Sequence, residues 1–348
     1  MNVTSSGRIE WHGLRLARGV LALGLVFATL VHAGGKDKFC TATARMLFGA
    51  CKAGVDDDTL VAKAICTNVA DAIQRATCFQ QAQTDRAEAK QLCADQKATR
   101  IATCTQLGEG RYDPTIDPAA FDDPKQPTNP NPYFPIALGN RWEYLAGNES
   151  DVVEIVDETK LIDGVHCIVA RDLVSHDGFV AEATDDWYAP AKNGDVWYFG
   201  EEVKDNETFP GDDPVRPELV SIDGSFKAGR NGDKPGIIFL ASPKVGDVYV
   251  EEASLGNAED VTEILSTTYA YPSGDPELDD LVPPGLAATF CAGDCVVTKN
   301  YSLLEPDIFA RKYYARGVGV FLEVEPDENK AIRLVSCNFD MRCASLTP

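Results

Sequence analysis

Six cysteines set at helical intervals constrain the first third of this chain more than any other feature. Cys40 and Cys51, Cys66 and Cys78, and Cys93 and Cys104 are spaced 11 or 12 residues apart. That is close to three turns of an α-helix, so both members of a pair lie along one side of their helix. Residues 39–107 suit helices, being rich in Ala, Gln, Lys, Arg and Glu and free of Pro. Gly54-Val55 followed by Asp56-Asp57-Asp58-Thr59 predicts a break and a capped second helix, and Thr84-Asp85 with Glu88 predicts the start of a third. Eleven residues of continuous helix span about 16 Å, whereas a disulfide needs Cα atoms within about 7 Å. No pair can therefore close on itself unless its helix is broken, and the expected bridges run between helices. An up-down-up bundle puts Cys51 and Cys104 near the same end, which makes them the expected bridge; spacing does not assign the other two. Helical bundles that store copper also carry regular thiols, but they add Met or His, and here the segment has only Met46 and no His. The cysteines therefore read as staples.

Staples imply an oxidising compartment, and the N-terminus agrees. Arg8, Arg15 and Arg18 precede an apolar run from Gly19 to Val31, and Val31-His32-Ala33 offers small residues for cleavage. Residues 1–33 read as an export signal cut near Ala33, leaving a secreted or periplasmic protein. The run is short against the roughly 20 residues that span a bilayer. The whole chain carries −22, and losing three Arg and one Glu with the signal moves it to −24. Such a chain repels phosphate backbones and anionic lipid, which argues against nucleic-acid partners and membrane insertion. Cations, basic ligands and plain solubility are compatible with it.

Eight Gly and Pro residues between 108 and 132 can continue neither a helix nor a central strand, so this stretch reads as a linker, with turns at Asp113-Pro114 and Asp117-Pro118 lying against a surface. From Tyr133 to the end the hydrophobic period becomes two. Arg141–Tyr144, Asp151–Val156, Val165–Val174, Val245–Val250 and Val318–Val324 read as strands. Asn193-Gly194 between Trp187–Lys192 and Asp195–Phe199 predicts a two-residue type I′ hairpin. Its register would set Tyr188, Trp197 and Phe199 on one face and Trp187 and Tyr198 on the other. Turns at Asp163-Gly164, Asp177-Gly178 and Asp223-Gly224, without helices at βαβ spacing, predict antiparallel pairing. The fold class is α+β: a small disulfide-stapled helical bundle over 34–107, then an antiparallel β domain over 133–348, a curved sheet or half-barrel.

Several motifs in this second part resemble a widespread group of exported bacterial proteins. They include Asn131-Pro132-Tyr133-Phe134-Pro135, Leu138-Gly139-Asn140-Arg141-Trp142-Glu143-Tyr144 and Asp186-Trp187-Tyr188-Ala189. Asn193 to Glu201, Lys234 to Ile238, Pro243 to Asp247, Ala258-Glu259-Asp260 and Lys312 to Gly319 belong to the same resemblance, which spans about residues 113–335. It implies a shared β fold and brings no activity with it. Ala181-Glu182-Ala183-Thr184 departs from the more acidic stretch of that group.

After the signal the chain holds only His166 and His176, so a three-His zinc site is impossible, and no HExxH spacing or G-x-S-x-G elbow occurs. No cofactor or metal is expected. Carboxylates flank the aromatic hairpin at Asp185, Asp186, Asp195, Glu201 and Glu202. Asp186 and Glu201 are the candidates for acid–base work on a glycan, with Trp187, Tyr188, Trp197 and Tyr198 as candidate ligand-binding platforms; calcium is a further candidate ligand. Cys291 with Cys295, and Cys337 with Cys343, can close local loops or cross-link to each other. Cys167, on an apolar strand face, is the candidate unpaired thiol. The leading expectation is an exported, non-catalytic binding or structural module for a small molecule, a glycan or a protein. A carboxylate-dependent extracellular hydrolase and a calcium-binding surface protein are the alternatives.

Overall fold

The computed structural model describes residues 38–346; the export signal expected over 1–33 lies outside them. The chain forms two compact units, one ending at Arg111 and one beginning at Tyr112.

The first unit is a hairpin of two long helices, α1 (Phe39–Thr67) and α2 (Ala72–Leu107), where three helices were expected. Gly54 and the three Asp residues after it lie inside α1, because one Gly costs a helix interior only about 1 kcal/mol. Asp56 is held there by Arg86 at 2.6 Å and Lys90 at 3.3 Å. The only break is at residues 68–71, where Asp71 accepts hydrogen bonds from the Ile73 and Gln74 amides and caps α2. The bridges are Cys40–Cys104, Cys51–Cys93 and Cys66–Cys78, with Cα atoms 5.7, 5.8 and 5.5 Å apart. The expected Cys51–Cys104 bridge is thus corrected. Each bridge joins residues equally far from Ala72, which is the pairing rule of an antiparallel hairpin folded about that point. Cys66 and Cys78 pair with each other because the break falls between them. The apolar core of this unit is small: Val55, Ala89 and Cys93, with Phe48 and Cys51 against them. At the open end Glu109 takes the place of a cap. Its carboxylate accepts from the Thr41 hydroxyl at 2.6 Å and the Thr41 amide at 2.9 Å, and these bonds hold its pKa below the usual range.

The second unit is one antiparallel sheet of fourteen strands, curved and not closed into a barrel. Its strands are β1 (Arg141–Ala146), β2 (Glu149–Ile162), β3 (Val165–His176), β4 (Phe179–Pro190), β5 (Val196–Glu207), β6 (Glu218–Ser221), β7 (Phe226–Lys227), β8 (Gly236–Phe239), β9 (Val248–Val250), β10 (Asp260–Tyr269), β11 (Cys295–Ser302), β12 (Phe309–Ala315), β13 (Gly319–Glu325) and β14 (Lys330–Cys337). The order runs β6-β5-β4-β3-β2-β1-β14-β13-β12-β11-β10-β9, with β7 and β8 also pairing with β5. Two short helices, α3 (Pro276–Asp279) and α4 (Pro284–Phe290), lie between β10 and β11. Curvature brings the ends of the sheet near each other. A Cβ on Gly236 of β8 would stand 2.1 Å from the carbonyl oxygen of Glu251, just past β9, so only glycine admits that approach.

The curl gives the sheet two differently used faces. The larger core uses both faces: Trp142, Ile155, Ile168, Tyr198, Phe239 and Tyr314 gather inward, while Tyr269, Tyr313 and Phe321 pack against α3 and α4 on the other side. Outward, a smaller core of Ile162, Val165, Cys167, Val169, Trp187 and Phe199 lies on β2 to β5. The Pro-rich stretch expected to be a linker covers that outer core from residue 112 onward. Phe121 packs edge-on against Trp197 and Phe199, while its flanks bond to Pro190 and Lys192. Proline cannot join a ladder, so the stretch docks through isolated hydrogen bonds instead of forming a strand. Cys167 is the unpaired, buried thiol, and Cys291–Cys295 and Cys337–Cys343 close local loops.

The motifs of the resemblance meet in space. The Asn131 amide donates to the carbonyls of Gly194 and Leu240, and the Trp142 indole donates to that of Val318.

Candidate functional site

The aromatic hairpin does not take the register its Asn-Gly pair predicts. Ala191 and Asp195 close it, Gly194 donates to the Ala191 carbonyl, and Lys192-Asn193-Gly194 is a three-residue loop with positive φ at Gly194 alone. Such a loop is a type I turn ended by a left-handed residue. One extra loop residue moves the register by one and changes which side chains share a face. Tyr188 therefore opposes Tyr198, and Ala189 opposes Trp197. A bulge between Asp186 and Tyr188 then restores Asp186 opposite Glu201. The outcome divides the candidates: Asp186, Tyr188, Glu201 and Tyr198 share the inner face, while Trp187 and Trp197 belong to the outer core. The expected grouping of Tyr188 with Trp197 and Phe199, and of Trp187 with Tyr198, is corrected. Trp187 is buried beneath the Lys160 ammonium, 3.4 Å from its ring centroid, and is no open platform.

Around Asp186 the inner face carries a dense set of acids. The Tyr198 hydroxyl donates to Asp186 Oδ1 at 2.5 Å. Burial, with Asp172 and Glu182 nearby, outweighs that bond and pushes the Asp186 carboxyl up to about 7. Asp172 on β3 and Asp151 on β2 sit diagonally across their strand pair. Burial raises both, Asp151 to about 6 and Asp172 well above the carboxylate range, where the charge of Asp151 adds to the effect. Two carboxyls this close favour holding one proton between them. On the other half of the sheet Glu251 and Glu252 are raised by burial. Glu251 accepts from the Thr262 hydroxyl at 2.5 Å and the Asn300 amide at 2.8 Å.

One lysine stands among these groups. Lys312 of β12 is 3.8 Å from Glu323, and that charge, with Glu251 and Asp260, pushes its ammonium upward against its own burial. Its side chain keeps 28% of its exposure, so solvent reaches this part of the face. Tyr249 of β9 is the reverse. It is only 8% exposed, and among the described residues its hydroxyl makes no hydrogen bond. Thr262, its cross-strand neighbour, gives its hydroxyl proton to Glu251.

Sequence reading found Asp186, Glu201, Tyr188 and Tyr198 and missed Asp151, Asp172, Glu251, Glu252, Lys312 and Tyr249. A signal existed for Asp172. It falls in phase with Ile168 and Ala170 on β3, and a charge in phase with an apolar row points into a core. No such signal marks Lys312, which comes into the cluster only through the curl of the sheet. His166 and His176 stand ten residues apart at opposite ends of β3, about 33 Å at strand rise, so they cannot share an ion. Among the described residues no three His, Cys, Asp or Glu side chains converge as a metal site. On the outer face Arg171 bonds Asp185 at 2.8 and 3.2 Å, and Lys204 pairs with Glu202 at 2.8 Å. Those charges neutralise one another.

No family model, curated protein or solved structure matches the chain. Among the described residues no helix is long and apolar enough to cross a membrane.

Proposed function

We propose that the protein is an exported, non-catalytic binding module, of the widespread exported group its motifs resemble, and that its ligand sits against the inner face near Asp186. One observation carries this reading: protonatable carboxyls and a tyrosine hydroxyl that makes no hydrogen bond among the described residues are gathered on a face that a purely structural sheet would fill with hydrocarbon. Burying such groups is costly unless something bonds them. Five disulfides support export. Native mass spectrometry of protein purified from its own host is the test. A bound small molecule that is lost from Asp186→Asn and kept by the outer-face variant Glu202→Gln is the expected result. Retention by both variants would overturn the inner-face placement.

A second reading rests on the direct pairing of Asp186 with Glu201. A carboxyl that holds its proton near neutrality beside another carboxylate is the pair a glycan hydrolase uses, one as acid and one as base or nucleophile. Release of reducing sugar from cell-wall or storage glycans by the wild type, abolished by Glu201→Gln, would establish it. Equal rates in both would dismiss it.

A further inference from the structure

We infer that the ligand of the inner face is an extended organic polycation, a linear polyamine of which spermidine is the working example, held by acids on successive strands. This rests on the binding reading above and names the chemistry of its ligand.

The first ground is charge. Asp151, Asp172, Asp186, Glu251 and Glu252 gather on the inner face, and Lys312 is the cation among them, already facing Glu323. Burial disfavours the charged form of these carboxyls, and a bound cation would favour it again, which an anionic ligand cannot do. The second ground is the Tyr249 hydroxyl, buried to more than nine-tenths and without a hydrogen bond of ordinary geometry among the described residues, with Glu251 close by. A phenol oxygen can accept a hydrogen bond from an ammonium group.

Spacing separates a polyamine from a metal ion. Asp151, Asp172 and Asp186 lie on β2, β3 and β4, successive strands about 4.8 Å apart, and no three acids converge on a point. A hard divalent cation needs six or more oxygens gathered within about 2.6 Å of it. Ammonium groups separated by three or four methylenes instead meet carboxylates one strand after another. Between those charges Tyr188 is only partly buried, its ring 5.0 Å from that of buried Tyr198, and it offers an aromatic surface to methylene and ammonium groups.

The full chain, titrated with spermidine by calorimetry at pH 8, is the experiment, with putrescine, calcium chloride and a neutral oligosaccharide run in parallel. Spermidine is expected to bind more tightly than the shorter putrescine. Asp172→Asn/Asp186→Asn should weaken it by on the order of tenfold or more, and Glu202→Gln should leave it within about twofold. Tyr249→Phe removes one oxygen from a packed ring and keeps the ring itself, so a fall in affinity with an unchanged melting temperature would tie binding to that hydroxyl. Absence of spermidine binding, preference for calcium, or equal loss in the outer-face variant would overturn the inference. Should spermidine fail while native mass spectrometry finds a neutral molecule released by Tyr249→Phe, the polycation is wrong and the inner-face binding reading stands.

Discussion

The two units of this chain reach stability by different means. The helical hairpin packs little more than Val55, Phe48 and Ala89 around its bridges and leaves Met46, Leu60, Val61, Ile65 and Ile73 more than half exposed. Three cross-links hold it in register. The β unit has a continuous core in which Tyr313, Phe321, Leu322 and Val324 are fully buried, and its two disulfides close loops of only 4 and 6 residues. In the first unit, covalent closure of long loops substitutes for hydrophobic burial; in the second, the bridges tidy loops on a core that stands without them.

The sharpest way to break that contrast is reduction. Loops of 64, 42 and 12 residues are worth about 4, 4 and 3 kcal/mol in the chain-entropy account, more than a two-helix core supplies. Reductant should therefore unfold residues 39–107 and leave the sheet intact, read as loss of the helical far-UV signal and protease cleavage confined to that segment. Simultaneous collapse of both units would refute the contrast. Phe321→Ala strikes from the other side. The ring is fully buried against Phe290 and Tyr313, so its loss should cost the sheet about 3–5 kcal/mol and leave the reduction behaviour of the hairpin unchanged.

How much of this could be read from the chain differs between the units. Helical character, stapling and the antiparallel sheet were legible because each is local: composition, cysteine period and alternation. The bridge partners were not, because Gly54 and Thr84-Asp85 carry the local signals of helix breaks inside what fold as continuous helices. The symmetry of the six cysteines about Ala72 would have given one turn and all three pairings. In the sheet, Asp163-Gly164 and Asp177-Gly178 behave as their dipeptides predict, with positive φ at both residues of each turn. Asn193-Gly194 does not, since the Lys192 amide binds the Ala120 carbonyl and Asp195 accepts from the Ala241 amide. Contacts distant in sequence override the local preference there, and with it the predicted grouping of five aromatic residues.

The acid cluster of the inner face extends the comparison to pH. Asp186 titrates near 7 when folded and near 4 when unfolded, so between those values the folded state holds a proton that the unfolded state has lost. Stability from this group is present at low pH and is lost as pH rises through about 7, a few kcal/mol at most. Asp151, raised to about 6, works in the same direction. Asp186→Asn should flatten the dependence of the melting temperature of the sheet between pH 5 and 8. In the hairpin the lowered carboxyls of Asp56 and Glu109 give the opposite sign, with stability lost as pH falls below the normal carboxylate range. Chemical denaturation of the full chain across pH, followed by tryptophan fluorescence for the sheet, resolves the two because every Trp among the described residues lies in the β unit.

The smallest effect tests whether cross-links make local helix signals redundant. Asp71 caps α2 through two amide bonds, and its replacement by Ala normally costs about 1 kcal/mol. Here the Cys66–Cys78 bridge closes the turn that Asp71 initiates, so the first turn of α2 stays tethered whether or not it is capped. If the bridges carry the unit, Asp71→Ala should speed hydrogen exchange at Ile73 and Gln74, whose amides lose their acceptor, yet leave the global melting temperature nearly unchanged. The same substitution in a Cys66→Ser/Cys78→Ser background should show the full capping cost. Equal cost in both backgrounds would mean that the turn is held by its own hydrogen bonds, and that the contrast between a cross-linked unit and a packed one is one of degree.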